Sequence, residues 1–291
     1  MTRPAALTRA ALAKFPLPPI EGGDKDAHGR ILIVAGSRDT PGAALLAAHG
    51  AMRAGAGKLQ IATVVSAAPH LAVAMPEAMV VGMAEARDGG FAPSAAKQIA
   101  ALAKKSDAVV AGPGMRTNSA ADRLAASLPR AGVPLVLDAA LLHALPARAK
   151  DTERAKLLPI LLPHHGEMAS LLGCDEADVA ADPLGCGRAC ADRYDAVTLV
   201  KGVQSHIVAP DGRAWRYRGG GPGLGISGSG DTLAGIVGGL LARGADPLIA
   251  CLWGVFLHGE AGAALAKRIG PRGYLAREIP GEIPVLLSAF V

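Results

Sequence analysis

Short hydrophobic runs, bounded by glycine or polar residues, alternate along the chain with segments rich in alanine and leucine. The runs predict buried strands at residues 31–35, 59–65, 108–111, 135–138, 159–162 and 197–200. Between them, apolar positions at helical spacing predict helices at 42–55 and 166–172 and through Leu141, Leu142 and Leu145. This alternation is typical of an α/β fold in which helices cover both faces of a mainly parallel sheet.

The alternation of strands and helices stops after Lys201. There, two segments of alternating apolar and polar residues flank a Pro-Asp-Gly turn and predict a β-hairpin. The remaining segments predict strands at 205–209 and 214–218, helices at 233–241 and 249–266, and a helix with loops over 174–195. No linker or repeat interrupts the pattern. We therefore expect one α/β domain over residues 1–291, with residues 1–24 as an N-terminal extension.

Composition narrows the class of protein. Hydrophobic residues make up 51% of the 291 residues and aromatic residues only 3%, which indicates a core of small aliphatic side chains. The mean hydropathy of +0.31 is high enough that membrane-spanning helices must be considered. The longest apolar runs, at 233–242 and 247–257, are shorter than the roughly 18 residues of a spanning helix, so we expect none. The first 20 residues lack a signal-peptide pattern, and we predict a cytoplasmic protein.

The charge distribution and the cysteines argue against a nucleic-acid-binding protein, a disulfide-rich protein and a zinc protein. The net charge is +5, but the basic residues are scattered and no aromatic-rich stretch accompanies them, so nucleic acid is not an expected partner. A mild positive field suits an anionic small substrate. The four cysteines form no disulfide framework. Cys186 and Cys190 lack further ligands for zinc, and we expect free thiols.

The most informative segment is a glycine-dense loop at 219–230 that leads into a helix, with Asp231 at the junction. Glycines let backbone N–H groups approach an anion, and a helix N-terminus favours phosphate. A carboxylate is misplaced in a pure phosphate binder. It makes sense as a base that takes a proton from a hydroxyl attacking a phosphoryl group. The simpler alternative is a flexible turn in which Asp231 serves as an ordinary helix cap.

Polar or glycine residues follow five of the predicted strands. In an open parallel sheet the ligand lies beyond the carboxyl ends of the strands, so these residues predict a shared cleft. They are Gly36 and Ser37, Gly112 and Gly114, Asp138, His164 and Glu167, and Lys201 with Gly202.

Two of these strand ends allow more than one interpretation. His164 and Glu167 lie three residues apart, and no third ligand suggests zinc. Glu167 fits better as an outer-shell magnesium carboxylate, with His164 on a substrate. Alternatively, both residues support the first helical turn. Lys201 ends an apolar strand and needs a phosphate or carboxylate partner there, unless its ammonium reaches solvent.

Five motifs together carry a resemblance to a known family. The chain is similar to the ADP-dependent NAD(P)H-hydrate dehydratases, a branch of the ribokinase-like superfamily, from about residue 25 to 275. The chain has no room for a fused epimerase domain, so it resembles the stand-alone form. The motifs are Ile33 to Ser37, Gly112 to Gly114, Pro163 to Glu167, Val200 to Gly202, and Gly228 to Asp231 after Gly221 to Leu224.

The resemblance implies a repair reaction. Members phosphorylate the C6 hydroxyl of hydrated NADH or NADPH (NADHX or NADPHX) with ADP as co-substrate. Phosphate then leaves, which yields NAD(P)H, AMP and phosphate. It implies Asp231 as the catalytic base, with a separately encoded NAD(P)H-hydrate epimerase as functional partner and a homo-oligomer, such as a tetramer, as the assembly. The implied substrate-binding residues are Ala43, Gly114, His164 and Asp231. The implied nucleotide-binding residues are Lys201, Gly202, Val203, Gln204, Ser205, Gly228, Ser229 and Gly230.

The chain departs from the family pattern at four positions, which concerns substrate affinity more than reaction class. They are Pro41, Ala140, His165 and Gly221. Mg²⁺ is expected to bind mainly through nucleotide phosphates and water, with Glu167 in the outer shell. Two alternatives stay open. One is an ATP-dependent hydroxymethylthiazole or hydroxymethylpyrimidine kinase of the same superfamily. The other is a nucleotide-binding regulatory module without catalysis, which Asp231 argues against.

Overall fold

The computed structural model describes residues 3–19, 25, 27–147 and 157–290, and within them the strands form a single ten-stranded sheet. The sheet order is β1-β10-β9-β8-β7-β6-β5-β2-β3-β4, and neighbours from β8 to β4 are parallel. The strands are β1 (Ala5–Ala6), β2 (Arg30–Val34), β3 (Lys58–Val64), β4 (Ala78–Met83), β5 (Ala108–Ala111), β6 (Leu135–Leu137), β7 (Ile160–Leu161), β8 (Val197–Val200), β9 (Ser205–Val208) and β10 (Ala214–Tyr217). β9 runs antiparallel to both β8 and β10.

Helices connect the strands and cover the sheet. Consecutive residues of β2 from Ile31 to Val34 are fully buried, and successive side chains of a strand point to opposite faces, so both faces are covered. The helices are α1 (Arg9–Leu12), α2 (Gly42–Arg53), α3 (Ala68–Ala74), α4 (Ala95–Ala103), α5 (Ser119–Ser127), α6 (His165–Leu172), α7 (Glu176–Ala181), α8 (Pro183–Tyr194), α9 (Ser229–Ala242), α10 (Pro247–Arg268) and α11 (Ile279–Ser288).

Close packing of α2 on α9 fixes the position of α9 over the sheet. A Cβ on Gly235 would lie 2.0 Å from the carbonyl oxygen of Ala47, a distance that no side chain can occupy. The two backbones therefore touch, and α9 also packs against β5, β2 and β6 in the middle of the sheet. This contact holds the N-terminus of α9 at the carboxyl edge of the parallel strands, where the polar strand ends lie.

The predicted mainly parallel α/β fold is confirmed, and so are the six predicted strands and the hairpin of β9 and β10. The helix predicted through Leu145 is wrong. Only a short 3-10 turn forms at Ala139–Leu141. Ala139 has a φ of +48°, which a regular α-helix does not contain, and Pro146 disfavours helical geometry at Leu145. Segment 174–195 holds two helices, and α9 starts at Ser229, earlier than predicted. The sequence analysis did not predict β1, β4, α1, α3, α4, α5 and α11.

The N-terminal segment takes part in this fold, although residues 1, 2 and 20–24 of the predicted extension lie outside the described residues. β1 pairs with β10, and the Trp253 indole Nε1 donates to the carbonyl oxygen of Phe15 at 2.7 Å. Among the described helices, α10 is long and apolar enough to cross a membrane, but 78% of its most apolar window is buried inside the fold. A core helix of this length has the same composition.

Candidate active site

The polar strand ends meet at one edge of the sheet. β5, β6, β7 and β8 are parallel neighbours, so Asp138, His164 and Lys201 follow strands that end side by side. An isolated parallel bridge between His164 and Lys201 lies three residues beyond the last ladder pair of β7 and β8, in the same register. The predicted strand ends therefore lie side by side, and the first turn of α9 lies near them; the shared cleft stays a prediction.

Lys201 is the centre of a charged cluster. Its Nζ lies 2.7 Å from Asp138 Oδ1 and 3.8 Å from Glu167 Oε2. The side chains of Asp138 and Glu167 are only 3% and 9% exposed, and that of Lys201 is 20% exposed. The sequence analysis gave Lys201 a phosphate or a carboxylate as its partner, and the described residues supply two carboxylates. The ammonium does not simply extend into solvent.

Asp231 is the third residue of α9 and belongs to the same cluster. A Cβ on the preceding Gly230 would lie 3.5 Å from Lys201 Nζ and 3.9 Å from Asp138 Oδ2, so the first turn of α9 faces the ion pair. Burial, followed by repulsion from Asp138, raises the pKa of Asp231 to about 6; Lys201 opposes this shift and Glu167 adds to it. A carboxylate with a pKa near neutrality is suited to accept a proton.

The cluster holds three carboxylates for one lysine. Burial alone would lower the pKa of Lys201, but attraction to Asp138 and Glu167 outweighs it and the pKa is raised. Lys201 is therefore a permanent cation at neutral pH. Burial raises the pKa of Asp138 while the ion pair with Lys201 opposes that rise. Burial is the first cause of the raised pKa of Asp231, and the excess of negative charge in the cluster adds to it.

His164 and Glu167 form a capping box at the start of α6. His164 Nδ1 accepts from the backbone N–H groups of Gly166 and Glu167 at 3.0 and 3.3 Å, and Glu167 Oε2 accepts from the His164 N–H at 2.8 Å. The local role that the sequence left open is thus present. The magnesium role of Glu167 stays a prediction, and the described residues contain no cluster of three or more His, Cys, Asp or Glu side chains suited to a metal.

Ala43 and Gly114 lie together on the other side of the edge, beyond β2 and β5. A Cβ on Gly114, which has a φ of +62°, would lie 2.5 Å from the Cβ of Ala43. Thr40 Oγ1 donates to the Gly114 carbonyl at 2.7 Å and lies 2.6 Å from Ser37 Oγ. The two predicted substrate-binding residues therefore form one tightly packed surface of small groups. Their role toward a substrate stays a prediction.

The glycines of the loop before α9 are required for two different reasons. A Cβ on Gly219 would clash with the ring of Tyr217, and one on Gly223 with the ring of Tyr274, so these two glycines make room for aromatic side chains. Gly230, in contrast, lies in the first turn of α9 beside the charged cluster, and a Cβ on Gly228, which has a φ of +86°, would clash with the Leu46 side chain. Only the second half of the loop is placed as the phosphate hypothesis requires.

The remaining predicted nucleotide-binding residues lie between β8 and β9. Val203 is 99% exposed, and Gln204 Oε1 accepts from Arg218 Nε at 3.2 Å. Ser229 carries a contact that the sequence analysis missed: the Nε2 of buried His258 lies 3.1 Å from both its Oγ and its carbonyl oxygen. The one available signal was a histidine inside the apolar run of α10.

A family model described as NAD(P)H-hydrate dehydratase matches residues 31–285. The chain belongs to the NAD(P)H-hydrate dehydratase family. It is 49% identical over 287 residues to the ADP-dependent (S)-NAD(P)H-hydrate dehydratase of Xanthomonas campestris pv. campestris, with 98% of this chain and 97% of the relative covered. The resemblance inferred from the motifs is confirmed.

Solved structures place this family member in the same fold class. The ADP/ATP-dependent NAD(P)H-hydrate dehydratase of Bacillus subtilis, co-crystallised with ATP/Mg²⁺, is 28% identical and superposes with a TM-score of 0.85 over 100% of both chains. A ribokinase-like superfamily protein of Enterococcus faecalis, at 21% identity, gives 0.81 over 99% of this chain and 96% of that one. The second likeness concerns the fold alone, and the predicted ribokinase-like fold is confirmed.

Proposed function

We propose that this dehydratase family member converts hydrated NADH and NADPH to NAD(P)H with ADP as co-substrate, releasing AMP and phosphate. The observation that carries the proposal is the position of Asp231. It lies in the first turn of α9, with a pKa raised to about 6, next to the cation of Lys201. The name of the Xanthomonas relative, of which 97% is covered at 49% identity, supports the same reaction.

Asp231 starts the reaction as a general base. Its carboxylate takes the proton of the C6 hydroxyl while that oxygen attacks the terminal phosphoryl group of ADP and AMP departs. The phosphate ester at C6 then leaves as inorganic phosphate, and the lone pair of the ring nitrogen supplies the electrons that restore the double bond. The proton lost at the neighbouring ring carbon balances the elimination. Lys201 offsets negative charge on the transferring group.

The predicted contacts divide between the two ligands. Ala43, Gly114 and His164 would hold the hydrated dinucleotide, and the loop from Lys201 to Ser205 with Gly228 to Gly230 would hold the adenine nucleotide. Their placement along one edge supports this division, because His164 of the first set bridges to Lys201 of the second, and Gly230 lies beside the Lys201 ammonium. A hydroxyl and a phosphoryl group would meet at that point.

Mg²⁺ belongs to the proposal as an ion carried by the nucleotide. Both oxygens of Glu167 already have partners in the protein, His164 and Lys201, which fits an outer-shell carboxylate better than a direct ligand. The residues present thus suit an ion that keeps most of its waters. When bound, it would neutralise charge on the phosphates.

The decisive assay mixes the purified protein with hydrated NADH and either ADP or ATP and follows the recovery of reduced-nicotinamide absorbance. We expect recovery with ADP, with AMP and phosphate as stoichiometric products. Formation of a stable phosphate ester from ATP and a hydroxymethylthiazole or hydroxymethylpyrimidine, with no recovery of NADH, would instead identify the kinase alternative. Nucleotide binding without any turnover would identify the regulatory module.

The proposal also includes a partner enzyme and a location in the cell. The Xanthomonas relative is named for the (S) form of the hydrate, and a stereospecific enzyme leaves the other epimer untouched. A separately encoded epimerase is therefore the proposed functional partner. Its action would be seen as complete recovery of NADH from an epimer mixture only when both proteins are present. We place the reaction in the cytoplasm, where ADP and the reduced coenzymes are available.

A homo-oligomer, such as a tetramer, is also part of the proposal, and the edge strand β4 supports it. All six residues of β4 are apolar or glycine, and Met79 is 60% exposed. Unprotected apolar edges tend to pair with another strand, and antiparallel pairing of two copies about a twofold axis is self-complementary. Met79→Lys should lower the mass measured by light scattering, whereas Val285→Lys, on exposed α11, should not. A monomeric wild-type protein would contradict the proposal.

A further inference from the structure

The ion pair between Asp138 and Lys201 holds a flexible side chain in one place. Lysine carries its charge on a four-carbon stem with several rotatable bonds, so an unpaired ammonium samples many positions. Here Nζ lies 2.7 Å from Asp138 Oδ1, and the Asp138 side chain is 3% exposed. The Asp138 backbone is itself fixed, because its N–H donates to the Ala111 carbonyl at 3.1 Å at the end of β6.

We infer that Asp138 is a positioning residue, which aims the Lys201 ammonium at the first turn of α9, where the terminal phosphoryl group of the nucleotide is transferred. This inference rests on the proposed function. Three atoms define the geometry. Nζ contacts Asp138 on one side, lies 3.8 Å from Glu167 Oε2 on another, and faces Gly230 on the third. An ammonium has three hydrogens, so one stays available for an anion at Gly230.

Because of this ion pair, removing the charge of Asp138 should affect ADP affinity and turnover differently. A carboxylate at 2.7 Å neutralises part of the attraction that Lys201 exerts on a phosphate, so removing its charge should leave ADP affinity unchanged or increase it. Turnover should fall, because a misplaced group near the reacting atoms costs up to about a hundredfold in rate. A residue that merely stabilises the fold would not separate the two quantities in this way.

A double-mutant cycle with Asp138→Asn and Lys201→Met tests the inference. We expect Asp138→Asn to lower kcat by about tenfold to a hundredfold in the wild-type background. In the Lys201→Met background the same change should have almost no effect, because the group that it positions is gone. Asp107→Asn is the control: the exposed Asp107 carboxylate also accepts one hydrogen bond at 2.7 Å, from the Arg30 backbone nitrogen, but it lies before β5 at the opposite edge of the sheet.

Titration of ADP into each free protein by calorimetry separates this inference from the proposed function. If the wild type does not dehydrate hydrated NADH, the proposed function fails, while the cycle in ADP affinity still measures whether Asp138 acts through Lys201. Equal and additive losses of ADP affinity and thermal stability would overturn the inference. If Asp138→Asn does not fold, Lys201→Arg answers the same question, since it keeps the charge but moves its centre. Full turnover by Lys201→Arg would overturn it.

Discussion

The two halves of the candidate site treat charge in opposite ways. Beyond β2 and β5, each arginine has a carboxylate of its own, Arg38 with Glu85 and Arg116 with Asp39, and both arginines are about half exposed. Beyond β6 to β8, one lysine serves three carboxylates and the pairs are buried. We call these regions the balanced half and the unbalanced half.

The difference is visible in the carboxyl groups themselves. In the balanced half, hydrogen bonds from Ser66 outweigh burial and, together with Arg38, lower the pKa of Glu85. In the unbalanced half, burial and repulsion raise the pKa of Asp231 to about 6. One-to-one pairs with an exposed partner contribute little to stability or reactivity, whereas an excess of buried carboxylates over cations creates a group that exchanges protons near neutral pH. Chemistry is therefore expected in the unbalanced half and shape recognition in the other.

The largest expected effect comes from Asp231→Asn. The amide keeps the shape of the side chain but cannot take a proton, so kcat should fall about a hundred- to ten-thousand-fold while ADP binding is nearly unchanged. Asp246→Asn is the matched control, because Asp246 also begins a helix, where it accepts from the Leu248 nitrogen at 2.9 Å. Turnover by Asp231→Asn above about a tenth of wild type would mean that the base is another group.

His164→Ala tests whether the capping box also serves a substrate. We expect the affinity for hydrated dinucleotide to fall about tenfold to a hundredfold and the affinity for ADP to fall far less. Loss of the cap should also lower stability by about 1 kcal/mol, as measured by denaturant unfolding. His143→Ala, which removes a contact to Ser170 on the same helix, is the control. Equal losses for both ligands would assign His164 to structure alone.

Glu167→Gln separates the metal role of this residue from its role in the fold. Glutamine can replace glutamate in a capping box, so α6 should stay intact. The Mg²⁺ concentration that gives half-maximal rate should rise about tenfold, which is the size of effect expected for an outer-shell partner. EDTA should abolish turnover by the wild type. An unchanged Mg²⁺ dependence in Glu167→Gln would remove Glu167 from the metal hypothesis.

The pH dependence of kcat/KM should report the raised pKa of Asp231. A base must be ionised, so activity is full above its pKa and is lost as pH falls through it. We expect an acid limb centred at about pH 6, with about tenfold less activity one unit lower and about a hundredfold less two units lower. Asp138→Asn removes one of the two carboxylates that raise this pKa and should move the limb toward lower pH. An acid limb near pH 4 would show that Asp231 titrates as an ordinary aspartate.

The smallest effect on turnover is expected in the balanced half, from Gly114→Ala. The new methyl group would press on Ala43, 2.5 Å from its Cβ, at a φ of +62° that alanine rarely adopts. Overpacking and strain should cost about 1–3 kcal/mol of stability, measured by denaturant unfolding. Affinity for the hydrated dinucleotide should fall while kcat at saturation changes little. A loss of kcat as large as that of Asp231→Asn would remove the distinction between the two halves.

Local pattern was enough to predict much of this protein. The period of apolar residues predicted the parallel strands β2, β3 and β5 to β8 and most helices that flank the site, and the motif from Pro163 to Glu167 with that from Gly228 to Asp231 identified the family. It did not predict β4 or the break after Ala139–Leu141. β4 mixes exposed, half-buried and buried positions, and the break follows a left-handed φ of +48° at Ala139, which no local residue pattern indicates.

What the sequence by itself determined is therefore the order of strands and helices, the loop before Asp231 and the membership of the family, because each depends on neighbours within a few residues. Only the tertiary structure decided that Lys201 meets Asp138, 63 residues away, that α9 packs on α2 closely enough to face them, and that His258 lies under Ser229. The physical reason is that charge interactions depend on distance in space. The order of β6, β7 and β8 in the sheet sets those distances, and with them the pKa of Asp231.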